Sequence, residues 1–142
     1  MVSAARIAEV MGGARVLHRR VTTLAELDEA VAHGLPRAAL DALVARVANP
    51  EDSVRLKYRI VPKATYLRHE RLNPPHGQKA ERLARVFAMA EAAWGDPGEA
   101  RRFMNAPHPE LSGRAPLEAA MTELGARQVE EVLERGLHGL PV

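Results

Sequence analysis

At 142 residues and a net charge of +2, the chain is long enough for one compact domain or two small ones sharing an interface. Apolar residues make up 46% but only five side chains are aromatic, so any core is built from Leu, Val and Ala, a composition that suits helices. Cysteine is absent, which excludes disulfides and thiolate metal sites and fits a reducing cytoplasm, and neither a membrane-length apolar run nor a leader pattern is present.

Proline and glycine divide the sequence into helix-sized pieces. A short helix is expected from Ala4 to Val10, followed by Gly12-Gly13, while Arg15 to Val21 carries no clear period. Thr23-Leu24-Ala25-Glu26 has the form of a capping box, opening a helix with Leu24, Leu27 and Val31 inward and Gly34 as its stop. Pro36 suits a first helical position, and Leu40, Leu43, Val44 and Val47 follow at i, i+3, i+4, i+7 until Asn49-Pro50 breaks the pattern. Two short helices come next, Glu51 to about Ile60 and about Pro62 to Arg71, joined tightly at Val61-Pro62, with Asn73-Pro74-Pro75 ending the second. A long helix from about Gly77 to Trp94 carries Leu83, Val86, Phe87, Ala90 and Trp94 on one apolar face, which assigns Trp94 to the core, and Gly95 closes it. Pro97 to about Asn105 is another helix, and Ala106-Pro107-His108-Pro109 a rigid loop. Pro116 starts a short helix ending near Gly125, and Ala126 to Arg135 forms the last, with Val129, Val132 and Leu133 inward. The tail from Gly136 to Val142 has no helical period. No segment alternates with the period of a strand, so the fold class is all-α.

Charge is unevenly distributed. Residues 55–85 hold nine basic side chains against Glu70 and Glu81, whereas residues 86–142 hold nine acidic against five basic. A positive block beside an acidic segment suggests two surfaces with different partners. Two short helices with a tight joint, following two amphipathic ones, read as a helix-turn-helix whose second helix lies in the most basic stretch. Leu67 is then the expected buried anchor, with Ile60 and Leu72 as neighbours. Lys63, Thr65, Tyr66, Arg68, His69 and Arg71 are the candidate DNA contacts, to base edges and phosphates of a double-stranded operator.

The segment from Arg82 to Gly139 resembles the C-terminal domain of the Xre/MbcA/ParS antitoxins. The residues carrying the likeness include Arg82-Leu83-Ala84-Arg85, Ala90 with Gly95-Asp96, Asn105 to Pro107, Leu111 with Gly113, Ala115-Pro116-Leu117 and Thr122 to Ala126. Gly34-Leu35-Pro36 and Pro62 to Arg68 look like the family's Xre-like helix-turn-helix region. Two positions depart from the pattern: Phe103-Met104 stand where the family usually has Trp-Leu, and Gly136 where a branched apolar residue is common, so the last helix is expected to end a turn early. The resemblance implies an N-terminal extension over residues 1–22, a helix-turn-helix domain over 23–76 and a small helical toxin-binding domain over 77–142. It also implies a homodimeric cytoplasmic antitoxin that blocks the NAD site of a RES-domain toxin and represses its own operon. Arg135, Leu137, His138 and Leu140 in the glycine-flanked tail are the candidate toxin contacts, the alternative being a frayed terminus.

Other chemistry finds little support. The six histidines show no metal-ligand spacing, and Gly12-Gly13 lacks the lysine and strand of a phosphate loop. Glu130-Glu131 and Glu134 read as a solvated face, and Ser53 and Ser112 as cap or turn residues. No catalytic residue, metal, cofactor or membrane partner is expected. A stand-alone dimeric helix-turn-helix regulator is the competing reading, and an RNA-binding or inert adaptor a third.

Overall fold

A computed structural model describes residues 2–142. Ten α-helices follow one another among the described residues: α1 (Ala4–Val10), α2 (Gly13–Leu17), α3 (Leu24–His33), α4 (Arg37–Val47), α5 (Ser53–Ile60), α6 (Lys63–Arg68), α7 (Pro74–Trp94), α8 (Pro97–Asn105), α9 (Pro116–Ala119) and α10 (Glu123–Leu137). Single 3₁₀ turns precede α5 (Pro50–Asp52) and α9 (Pro109–Leu111). No strand occurs among the described residues; the nearest thing to one is an isolated antiparallel bridge between Pro36 and Arg71. The chain is all-α.

Local chemistry explains the boundaries, including those the sequence pattern misplaced. At α3 the capping box forms, with Thr23 Oγ1 accepting from the Glu26 amide and Glu26 Oε1 accepting from the Thr23 amide. Asn73 begins a helix rather than ending one: its side chain accepts from the His76 amide, and Pro74 and Pro75 fill first-turn positions where a missing N–H costs nothing. The preceding helix α6 consequently stops at Arg68, three residues short of Arg71. Thr122 likewise caps α10, so Gly125 lies in its first turn instead of closing α9. At the other end Gly136 does not cut α10 short. The helix runs to Leu137 and closes in a Schellman motif, with Gly139 at φ 79°, its amide on the Gly136 carbonyl and the Leu140 amide on the Arg135 carbonyl.

The long helix α7 is the axis of the molecule. From Leu83 to Ala90 every residue except Arg85 is buried, so this stretch is enclosed nearly all round by α1, α3, α8 and α10. Alanines at 80, 84, 88 and 90 let neighbouring helices approach, and Phe87 fills the centre. One continuous apolar cluster extends from Ile7 in α1 through Leu40 and Leu43 in α4 to Val129 and Leu133 in α10. Gly125 marks the tightest approach: a Cβ there would fall 1.7 Å from the Ala119 carbonyl oxygen.

Ion pairs join the basic block to the acidic segment. Arg59 in α5 makes a two-pronged bond to Glu118 in α9, at 2.6 and 3.0 Å. Arg82 and Arg85 of α7 reach Glu123 and Glu130 of α10, each at 3.1 Å. Part of the basic block is therefore neutralised internally by the acidic segment, and not all of it is a free positive surface.

Two apolar assignments are corrected. Leu24 is 73% exposed, because the first turn of α3 overhangs an open groove while Leu27 and Val31 make the contact with the core. Trp94 is 39% exposed: at the last residue of α7 its ring lies beside Phe103, with centroids 6.0 Å apart.

Candidate functional site

The first candidate surface is the α5–α6 pair. Only Val61-Pro62 separates the two helices; Val61 is buried and its amide closes α5 on the Lys57 carbonyl. Helix α6 has no fully buried residue. Its anchor is Tyr66, not Leu67, which is 60% exposed. The phenol donates to the Asp41 carboxylate at 2.7 and 2.9 Å, and the ring stands edge-on to Tyr58 with centroids 5.8 Å apart. Lys57 Nζ sits 4.4 Å from the Tyr66 ring centre and 3.1 Å from Asp41 Oδ1. Arg37 packs over the same ring and donates to the Tyr66 carbonyl at 3.1 Å. Burial and the adjacent Asp41 carboxylate push the Tyr66 phenol above its usual pKa, keeping it a neutral donor. Burial opposes the charge on Lys57, but Asp41 and the two tyrosines outweigh it and hold the ammonium above its usual value.

The residues expected at DNA thus separate into two groups. Tyr66 is held inside the Asp41–Lys57 cluster, and Arg71 donates to the Gly34 carbonyl at 2.8 Å beside the Pro36 bridge. Lys63, Arg68 and His69 are exposed and Thr65 is half-buried, all at or beyond the rim of α6. The short period of α6 concealed this rotation, since Tyr66 and Leu67 are adjacent and either one can face the core. A tyrosine buries its ring and still donates to the Asp41 carboxylate, a bond that a leucine in its place cannot make.

The second candidate surface is the end of α10. Leu137 and Leu140 are 39% and 54% exposed. His138 Nε2 lies 3.3 Å from Glu134, and Arg135 Nη2 2.5 Å from Glu110. The tail after Gly139 turns back so that Val142 occupies the space a side chain at Gly136 would take; a Cβ there would stand 2.9 Å from Val142 Cγ1. Alongside run Trp94, Phe103 and His108, ring to ring at 6.0 Å each.

A third feature escaped the sequence entirely. An open groove of about 1140 Å³ lies between α1, α3, α7 and α10. Its floor includes Ile7, Leu27, Val31 and Met89. Glu130, Glu131 and Glu134, which the pattern reads as a solvated face, form its α10 wall, and Glu130 accepts from Arg85. On the α7 wall, burial pushes the Glu81 carboxyl up, opposed by Arg85. No helix among the described residues is long and apolar enough to cross a membrane.

Residues 89–139, from the last part of α7 through α10, match the family described as the antitoxin Xre/MbcA/ParS C-terminal toxin-binding domain. The chain is also similar to a protein named antitoxin Xre from Pseudomonas putida, 38% identical over 79 residues, which cover 53% of this chain. The matched part is 50% of that protein, so the comparison spans about half the length of the curated relative. The matched domain is a binding module, not a catalytic one.

Proposed function

We propose that this chain acts as a whole as an Xre-type antitoxin, neutralising a RES-domain toxin through its C-terminal helices and repressing its own operon through α5–α6. The observation that carries the proposal is the match of residues 89–139 to a toxin-binding domain, on one continuous core with a basic pair of short helices. Leu137, His138, Leu140 and Arg135 are the residues we assign to the toxin, where they cover its NAD site. The Schellman closure supports this by presenting Leu137 and Leu140 on an ordered turn, so little ordering entropy is left to be lost on docking. The protein consumes no NAD itself. A homodimer places two α5–α6 pairs on the two halves of an inverted repeat.

At the operator, Lys63, Thr65, Arg68 and His69 make the contacts, with Lys63 and Arg68 neutralising phosphates. Tyr66 and Arg71 hold α6 at its angle to the body through Asp41 and Gly34.

The reading is tested by co-expressing the chain with the RES-domain protein of its operon. Co-purification and rescue of growth are expected, and failure of both refutes the antitoxin role, leaving a stand-alone regulator. Replacing Lys63 and Arg68 by Ala is expected to lower the salt slope of log affinity for the promoter duplex by roughly 0.9 per contact removed. An unchanged slope removes α6 from the DNA.

A further inference from the structure

We infer that the groove between α1, α3, α7 and α10 is a docking site for a cationic amphipathic helix of the protein partner. The inference rests on the antitoxin reading only for which protein carries that helix.

The groove combines two properties that together select its occupant. Its floor is apolar: Ile7, Leu27, Val31 and Met89 reach it from the core, and Leu24 stands exposed at its edge. Its walls are acidic. Asp28, Glu81, Glu123, Glu130, Glu131 and Glu134 face it, against Arg85 and Arg127. Arg85 is already engaged by Glu81, Glu130 and Glu123 at 3.3, 3.1 and 3.8 Å, and Arg127 lies 3.7 Å from Glu123. Asp28 and Glu131 have no ion-pair partner among the described residues.

A volume near 1140 Å³ is larger than the roughly 300–1,000 Å³ of small-molecule pockets, and an open trough with an apolar floor is the shape that receives a helix. Carboxylates on the walls favour Lys and Arg flanking the apolar stripe of that helix and repel an acidic one. The same charges argue against a second copy of this chain as occupant. A two-fold contact through this face would set the two acidic walls against each other, and a head-to-tail contact with the basic α5–α6 face would give a ring or a filament, not the two-fold dimer proposed above. The wall formed by α10 lies inside the segment matched to a toxin-binding domain, and Leu137 continues its stripe three residues beyond Glu134, so groove and tail form one surface.

The test uses the full chain and a fluorescein-labelled Leu/Lys amphipathic peptide of about 18 residues, five helical turns. A scrambled peptide of the same composition and a Leu/Glu counterpart are the controls. Saturable binding of the Leu/Lys helix is expected, at least tenfold tighter than either control. Glu131→Lys with Glu134→Lys is expected to weaken it tenfold or more, and Leu24→Gln to weaken it without changing its salt dependence. Glu9→Lys with Glu51→Lys, of equal charge change outside the groove, is expected to leave it unaltered. Equal binding of the scrambled peptide, or equal loss in the Glu9/Glu51 variant, overturns the inference. A parallel pull-down with the RES-domain protein separates the two proposals. If the Glu131/Glu134 variant captures it normally while deletion of Leu137 to Val142 does not, the groove fails and the antitoxin reading stands. If the wild-type chain captures none of it, the antitoxin reading fails while the peptide arm still decides the groove.

Discussion

Replacing Tyr66 by Ala tests how α6 is held. No residue of that helix is fully buried, and Tyr66 is its side chain against the core. Truncating a fully buried aromatic costs about 3–5 kcal/mol. Tyr66 is only partly buried, and the Asp41 carboxylate that its hydroxyl binds is open enough to solvent to be rehydrated. The expected cost is therefore about 2 kcal/mol, which for a chain of this size lowers Tm by roughly 8 °C. Leu67→Ala, one residue along and mostly exposed, is expected to stay within about 0.5 kcal/mol. Tyr66→Phe keeps the ring and loses the bond to Asp41, so it is expected to fall between them. Urea unfolding of the three variants, read by circular dichroism, measures the series. If Leu67→Ala proves more costly than Tyr66→Ala, the orientation of α6 described above is wrong, and with it the division between positioning residues and proposed DNA contacts.

Other outcomes follow from particular contacts. Gly125→Ala gains about 1 kcal/mol of helix propensity but drives a methyl into the Ala119 carbonyl, for a net loss near 2 kcal/mol in urea unfolding. Gly136→Val is expected to displace Val142 and speed hydrogen exchange at the Leu140 amide, which bonds the Arg135 carbonyl, without lowering global stability. The Arg59 bond holds the Glu118 carboxyl below its usual pKa, so its stabilisation is present above pH 4.5 and is lost as pH falls through the lowered value. Both side chains are substantially solvent-exposed, which limits the pair to about 0.5 kcal/mol; Arg59→Ala is expected to remove that much at pH 7 and nothing at pH 2.

Chain punctuation was highly legible in the sequence. The Thr23 capping box, the stops at Gly34 and Gly95 and the helix from Pro97 to Asn105 each follow from one local signal, and each stands in the structure. Boundaries failed where one residue can serve two roles. Asn73 before two prolines reads equally as the end of one helix or the cap of the next, and the side-chain bond to His76 decides it. Gly136 inside α10 reads as a stop until Val142 is seen filling its missing side chain. The exposure of Lys63, Arg68 and His69 was readable from charge, whereas Leu137 and Leu140 stood out only as apolar residues in a glycine-flanked tail. The inward turn of Tyr66 was not readable, because it depends on Asp41, twenty-five residues upstream. The groove was out of reach for the same reason: its walls come from helices far apart in sequence, and no local period encodes their spacing.

Titrating the purified chain into NAD consumption by a RES-domain protein, the partner proposed above, tests the proposed antitoxin role most directly. Inhibition that is complete at a fixed stoichiometry, and relieved when Leu137 to Val142 are deleted, is the expected result. Undiminished NAD turnover at saturating chain, with no complex on size exclusion, contradicts it.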